Sequence, residues 1–562
     1  MASTLTIVKS FNDTDDKENI VNPSQRYLST RGGSHGLSFE NTVLKGLASD
    51  GGLFIPEEIP YLPQDWESKW ENISFLDLAF EILSLYISPS EVPTSDLRDI
   101  ISRSYSSFRV PDITPLVTLD EQKKLHLLEL FHGPTFAFKD VALQFLGNLF
   151  EYFITRKNRG KQGKERYHLT VVGATSGDTG SAAIYGLRGK KDVSVFILHP
   201  KDRVSPIQEA QMTTVLDPNV HNLAVQGTFD DCQDIVKALF ADSEINKNLN
   251  LGAVNSINWA RILAQITYYF QAYFLLKNSH VFKSGDKIRF VVPTGNFGDI
   301  LAGYYAKRMG LPIDKLVIAT NENDILDRFW KSGKYEKMVV SGANAQGGIP
   351  SDGAKAHEGG VKETLSPAMD ILVSSNFERL LWLMVYESKP KTQNCDDDIK
   401  KHACSDVKVW LEALKINGGF QVPDNILNIA KKDFESQKIS DPQTLETIKD
   451  FYSPATKNQD RKSYILDPHS AIGIAASLLS IECNSTNEIH HIALATAHPA
   501  KFAHAVEMAL QHEKDFDFKS VLPLQFVGLE EKEKRVQIVP RDAELESIRT
   551  IIEQGIQAEL GY

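Results

Sequence analysis

Apolar residues recur at i, i+3 and i+4 through FLDLAFEILSLYI, Phe75–Ile87, and this spacing predicts an amphipathic helix. The segment before it, SDGGLFIPEEIPYLP, carries the turn Asp50-Gly51-Gly52 and the prolines Pro56, Pro60 and Pro63, and reads as an irregular surface lead-in rather than a sheet. Pro23 to about Val110 is therefore expected to form a small, mainly helical N-terminal domain. Beyond it the rhythm changes. Short apolar, β-branched runs alternate with helical text: HLTVVGA then SAAIYGLRG, VSVFILH then SPIQEAQMTTV, NLAVQG then DDCQDIVKALFAD, KIRFVVPTG then DILAGYYAKRMG, and KLVIATN then DILDRFWKSG. Continuous apolar strands between helices imply mainly parallel sheets covered on both faces, an open doubly wound α/β architecture. Ligands of such sheets sit beyond the carboxyl ends of the strands.

Two stretches break the alternation. Ser341–Gly360, SGANAQGGIPSDGAKAHEGG, holds six glycines in twenty residues and is expected to be a flexible surface loop inserted in a two-lobed α/β region, 111–386. Glu387–Asp406 has charge blocks without usable periodicity and is expected to be a linker. It opens a C-terminal region, 387–562, that returns to the core around 464–505 through HHIALATAHPAKF. Residues 1–22 lack an apolar run and read as a disordered tail, neither secretory signal nor transit peptide. A net charge of −12 over 562 residues argues against a nucleic-acid partner. No apolar segment reaches the roughly 18 residues that span a bilayer. The four cysteines include no C-x-x-C pair, which supports neither a disulfide framework nor a metal site. A cytoplasmic protein is expected, with neither nucleic acid nor membrane as partner.

Lys139 stands between the aromatic turn ELFHGPTFAFKD and the apolar run VALQFLGNLF. An amine held in such surroundings loses basicity and gains nucleophilicity, as Schiff-base chemistry requires, although a lysine snorkelling along Phe136 and Phe138 is the plainer reading. GATSGDTG, Gly173–Gly180, follows a strand and opens a helix, so Thr175, Ser176, Asp178 and Thr179 surround either an anion or an ordinary N-cap. PTGNFGD, Pro293–Asp299, repeats that arrangement, with Gly295 and Gly298 letting backbone amides converge; it matches no nucleotide-binding fingerprint. In AVNSINWARILAQ, Asn255 and Ser256 precede a helix whose first turn carries Arg261, a charge that opposes the helix dipole unless an anion or an ordinary salt bridge accompanies it. Thr496 ends the apolar strand of ALATAHPAKF, where its hydroxyl suits a ring nitrogen or a cap. His132, His498 and DPHSAIG read as structural, since no carboxylate partner of these histidines is evident in the sequence.

Together and in this order, YLSTRG, LASDGGLFIP, ELFHGPTFAFKDVALQF, GATSGDTGSAA, VNSINWARILAQ, GNFGDILAGY, LSPAMDILVSSNFERLLW and TAHPAKF resemble the threonine synthases of the fungal and bacterial type. These are pyridoxal-phosphate enzymes of the tryptophan-synthase-β-like fold, fold type II, and the similarity runs from about Ser24 to the C-terminus. The resemblance implies that Lys139 carries pyridoxal 5'-phosphate as a Schiff base. It implies that Gly295, Asn296, Phe297, Gly298 and Asp299 surround the cofactor phosphate, and that Thr496 faces the pyridine nitrogen. Thr175 and Ser176 match family positions for the substrate carboxylate, and Thr179, Ser256 and Arg261, beside Asn255, those for the substrate phosphate. Asp178 stands where related enzymes often have Asn, at a position that contacts the cofactor hydroxyl. The implied reaction converts O-phospho-L-homoserine and water to L-threonine and phosphate, in a monomer or homodimer. A lyase of the same fold acting on serine-type or phosphorylated amino acids, and a catalytically silent cofactor-binding protein, are the rival readings.

Overall fold

Two mainly parallel sheets organise the chain. In a computed structural model that describes residues 25–337, 355–356, 360–390, 396–452, 463–484 and 488–560, the larger sheet has six strands. Their order is Phe434–Lys438, Ile313–Thr320, Lys287–Pro293, Ile489–Ala495, Leu125–Glu129 and Leu116–Asp120. The first five run parallel and the last is antiparallel. The smaller sheet has five parallel strands in the order Gln537–Val539, Val220–Val225, Val193–Pro200, Leu169–Ala174 and Leu251–Ala253. Every residue of Val193–Pro200 and of Ile489–Ala495 is buried, as expected of strands covered on both faces. The strand Ile489–Ala495 lies at the middle of the larger sheet, between Lys287–Pro293 and Leu125–Glu129.

The helices Lys139–Lys157 and Trp259–Lys277 are buried on almost every side and hold the sheets together. Lys139–Lys157 crosses Asp178–Leu187 backbone to backbone. A Cβ on Gly147 would lie 1.9 Å from the Gly186 carbonyl oxygen, so only glycine permits this approach. Lys139 and Asp178 lie in the first turns of these two helices and act on one another electrostatically. No helix among the described residues is long and apolar enough to cross a membrane.

Two sequence expectations fail. Phe54–Pro56, read as irregular, is a strand that pairs antiparallel with Tyr27–Ser29. Three residues ending in proline are too short to show alternation, yet Phe54 and Ile55 are fully buried, and this burial makes the pairing worthwhile. Asp396–Asn417, read in part as linker, is a 22-residue helix. Its sparse apolar face, Ile399, Ala403, Cys404 and Val407, packs on the helix Phe377–Ser388, where the Trp382 indole N–H donates to Cys404 Sγ at 3.2 Å. The acidic run Asp396–Asp398, exposed to solvent, is the helix's first turn, where negative charge suits the dipole. The predicted N-terminal helix is present as Phe75–Ser84, capped by Ser74, with Phe75, Leu78, Ala79, Ile82 and Leu83 buried. The expected tail at 1–22 and most of the inserted loop at 341–360 lie outside the described residues.

Candidate active site

Lys139 opens its helix directly after a turn in which Phe136 takes a left-handed conformation, φ 60°. That turn is stitched to the loop carrying Thr496. The Phe138 amide donates to the Thr496 carbonyl at 2.8 Å, the His498 amide to the Phe136 carbonyl at 3.1 Å, and Ala137 bridges Ala497. Arg109 closes the other side, donating to the carbonyls of Gly133 and Pro134 and stacking 3.6 Å above the Phe136 ring. Lys139 is only partly exposed, and its amine makes no hydrogen bond or ion pair among the described residues. Burial lowers its pKa from 10.5 to about 8, against the pull of Asp178 and with help from Arg261 and Lys501. A shift of this size raises the free-amine fraction at neutral pH by about 300-fold.

In the turn after Leu169–Ala174 the Thr175 hydroxyl is spent inside the loop. It accepts from the amides of Gly177 (3.0 Å) and Gly180 (2.9 Å) and donates to the Gly177 carbonyl (2.9 Å). It shapes the turn, and Ser176, exposed, and Thr179, half-buried, remain on the loop surface. Asp178 is buried and accepts from Gln208 Nε2 at 2.7 Å and from Lys501 Nζ at 2.7 Å. Burial would raise its pKa, but Lys501, Lys139 and these bonds outweigh it and hold the carboxyl at about 2.

The GNFGD turn lies at the start of the helix Gly298–Met309, whose first amides have no partner within the helix. Phe297 takes the left-handed conformation, φ 61°, and is held by stacking on Trp330 and an edge contact with Phe377. The segment Ser374–Asn376 braces this turn. Ser374 Oγ donates to the Gly295 carbonyl at 2.7 Å, and the Asn376 side chain donates to the Asn296 carbonyl at 2.8 Å and the Ser256 carbonyl at 3.0 Å. The Asp299 side chain points away from the turn. It accepts from Tyr268 and Tyr269 in the core, leaving its backbone amide as the group available to an anion.

Asn255 and Ser256 precede the helix Trp259–Lys277, and the Ser256 hydroxyl lies 2.9 Å from that of Ser375. Arg261 is buried, 5% exposed, and donates through Nη1 to the Asn255 carbonyl at 2.6 Å, while its Nε has no partner. No carboxylate pairs with it among the described residues. A buried guanidinium lacking an anion, acting on a half-buried amine that itself lacks a partner, can receive an anionic ligand that carries an electrophile.

Family comparisons then decide the assignment. A "Threonine synthase N terminus" model matches residues 26–105, "Pyridoxal-phosphate dependent enzyme" matches 110–364, and "Threonine synthase, C-terminal" matches 470–552. The threonine synthase of Schizosaccharomyces pombe is 54% identical over 536 residues, 95% of this chain and 98% of the relative. The chain belongs to the threonine synthase family. The crystal structure of the yeast threonine synthase superposes with a TM-score of 0.85 at 52% identity, covering 95% of this chain and 99% of that one. A pyridoxal-phosphate-bound threonine synthase from Brucella melitensis superposes at 0.79 with 37% identity, covering 95% and 99%. The protein is a pyridoxal-phosphate-dependent enzyme of fold type II. Its residues fit that cofactor: an unpartnered, half-buried amine at Lys139 for the aldehyde, a glycine-lined helix start at Gly295–Gly298 for the phosphate, and a neutral, buried Thr496.

Sequence reading missed several groups that the threonine synthase fold places here. His132 does have a carboxylate partner, Glu129 at 2.7 Å, three residues upstream in the same motif; Glu129 in turn accepts from the Tyr464 hydroxyl. His469, in DPHSAIG, pairs with Asp467 at 2.9 Å and accepts the Ala368 amide at 3.2 Å. That bond braces Ala368, whose carbonyl oxygen would sit 3.1 Å from a Cβ on Gly295. Lys501, Gln208 and Ser375 were not singled out either. Lys501 stands between Ala500 and Phe502 in TAHPAKF, and the argument that flagged Lys139 applies equally to it.

Proposed function

We propose that the enzyme converts O-phospho-L-homoserine and water to L-threonine and inorganic phosphate. The observation that carries this reading is Arg261: a buried arginine with no carboxylate and an unpartnered Nε, electrostatically coupled to Lys139, beside a separate glycine-lined helix start. An enzyme that handled a serine-type substrate would need one phosphate site, for its cofactor; two anion sites call for a phosphorylated substrate.

Gly295, Asn296, Phe297, Gly298 and the Asp299 amide would hold the cofactor phosphate, and the Thr496 hydroxyl would meet the ring nitrogen. Bound pyridoxal phosphate supplies an electron sink that acidifies the hydrogens on the substrate's α- and β-carbons. A neutral threonine partner makes that sink more moderate than a carboxylate would. Ser256, Thr179 and Arg261 hold the substrate's phosphate, and Arg261 offsets the charge that develops as phosphate departs from the γ-carbon. Ser176, with the turn that Thr175 shapes, receives the carboxylate. Lys139 removes the α-proton, gives it up, and as a free amine again removes a β-proton, an exchange suited to an amine with a pKa of about 8.

Incubation of the purified enzyme with pyridoxal phosphate and phosphohomoserine tests the proposal. Threonine and phosphate in equal amounts are expected. Phosphate without threonine would overturn it in favour of a simple elimination.

A further inference from the structure

Lys501 lies five residues beyond Thr496, with its side chain wholly buried. Its ammonium donates to the Thr135 carbonyl at 2.8 Å and pairs with Asp178 at 2.7 Å. Thr135 belongs to the turn that leads into Lys139, and Asp178 opens the helix after the GATSG turn, so one ammonium ties both loops together. The charged groups that bear on the Lys139 amine are Asp140 on its own helix, Asp178 on the facing helix, Arg261 on Trp259–Lys277 and Lys501. Asp140 is turned back on its own loop, accepting from the Thr135 amide and hydroxyl at 2.7 Å each. Asp178 is therefore the anion best able to capture the Lys139 amine as an ammonium. Lys501 occupies it.

We propose that Lys501 is a positioning residue: by pairing with Asp178 it keeps the Lys139 amine unpaired, and so available as nucleophile and base. The physics acts twice in one direction. Removing the Lys501 cation removes a like charge that disfavours protonation of Lys139, and it releases a buried carboxylate that must find another cation. Lys139 is the other cation that acts on Asp178. This inference rests on the role given to Lys139 above.

Competitive labelling of the full chain, freed of cofactor, with an amine-reactive anhydride from pH 6 to 10 reads the protonation of Lys139 by mass spectrometry of its peptide. The wild-type midpoint is expected near 8. In Lys501→Met it should move up by one unit or more, and the acid limb of kcat for the reconstituted enzyme should move with it. Asp178→Asn alone should move the labelling midpoint below the wild-type value, since Lys139 would then face two cations without their anion. Lys501→Met/Asp178→Asn should return it toward wild type, and Lys501→Arg, which keeps the charge, should change it little. An unshifted midpoint in Lys501→Met, or a shift that persists in the double variant, overturns the proposal. Should Lys501→Met fail to fold, an unshifted midpoint in Asp178→Asn overturns it equally. If labelling shifts while the kcat profile does not, the pairing stands and the catalytic role of Lys139 falls, so the two failures are distinguishable.

Discussion

The hydroxyl of Ser375 lies 2.9 Å from that of Ser256 and 3.0 Å from Asn296 Oδ1, joining the loop proposed for the substrate phosphate to the loop proposed for the cofactor phosphate. An amide oxygen only accepts, so Ser375 donates to Asn296 and must accept from Ser256. The two anion loops thus share one hydrogen-bond chain. Ser375→Ala should weaken both ligands together, each by about 1 kcal/mol, or roughly fivefold. Steady-state kinetics should show KM for phosphohomoserine raised, and fluorescence titration should show the cofactor Kd raised. A change in only one of the two would break the proposed link.

Arg261 is expected to act on the substrate and not on the fold of the cofactor loop. Removing a buried charged hydrogen-bond donor from an anion typically costs about 2–5 kcal/mol. Arg261→Ala should therefore lower kcat/KM for phosphohomoserine by about two to three orders of magnitude. Competitive inhibition by inorganic phosphate should be lost in parallel, while the cofactor spectrum stays unchanged. An unaltered kcat/KM would remove Arg261 from the site.

What the sequence disclosed and what it hid follow from the range of the interactions. The strands Val193–Pro200 and Lys287–Pro293 are apolar runs bounded by turn chemistry, and the helix after the first is capped by Ser205, so the α/β alternation is written in neighbouring residues. Lys139, Arg261 and the two glycine turns are conspicuous for the same reason: each is a residue type out of keeping with its immediate neighbours. Ser375 and Lys501 are not. Their partners, Asn296 and Asp178, lie far away along the chain, and nothing local marks a serine or a lysine as paired. The helix Asp396–Asn417 was hidden by its sparse apolar face. The committed side chain of Thr175 was hidden because a threonine after a strand looks alike whether it holds a ligand or its own turn.

The crossing of Gly147 over Gly186 makes a steric prediction. A methyl at Gly147 would overlap the Gly186 carbonyl oxygen at 1.9 Å, and one at Gly186 would meet the Leu143 carbonyl oxygen at 2.5 Å. Neither obstacle is a side chain that can swing aside. Gly147→Ala should separate the helices that present Lys139 and Asp178, at about 3 kcal/mol or more in stability, in the upper range for overpacking. Chemical denaturation would measure the loss. Cofactor binding should weaken with it, whereas a variant of wild-type stability would show that the helices can slide without harm.

Asp299 gives a pH-dependent test whose sign is fixed by its burial. The residue is 8% exposed, and burial raises the pKa of its carboxyl to about 6 despite the bonds from Tyr268 and Tyr269; Oδ2 has no partner among the described residues. Between about pH 4 and 6 the folded chain therefore holds a proton that the unfolded chain has released. Stability from this group is complete below the unfolded value, 3.8, and is lost as pH rises through 6. The loss is bounded by about 3 kcal/mol at neutral pH. Asp299→Asn keeps an oxygen for the two tyrosines and cannot titrate; the amide it places at the Oδ2 position costs the same at every pH. Denaturation of the cofactor-free chain should then show the variant gaining on wild type from pH 4.5 to 7.5, whatever its absolute offset. Parallel stability curves across that range would mean that the Asp299 carboxylate is accommodated by its tyrosines without penalty.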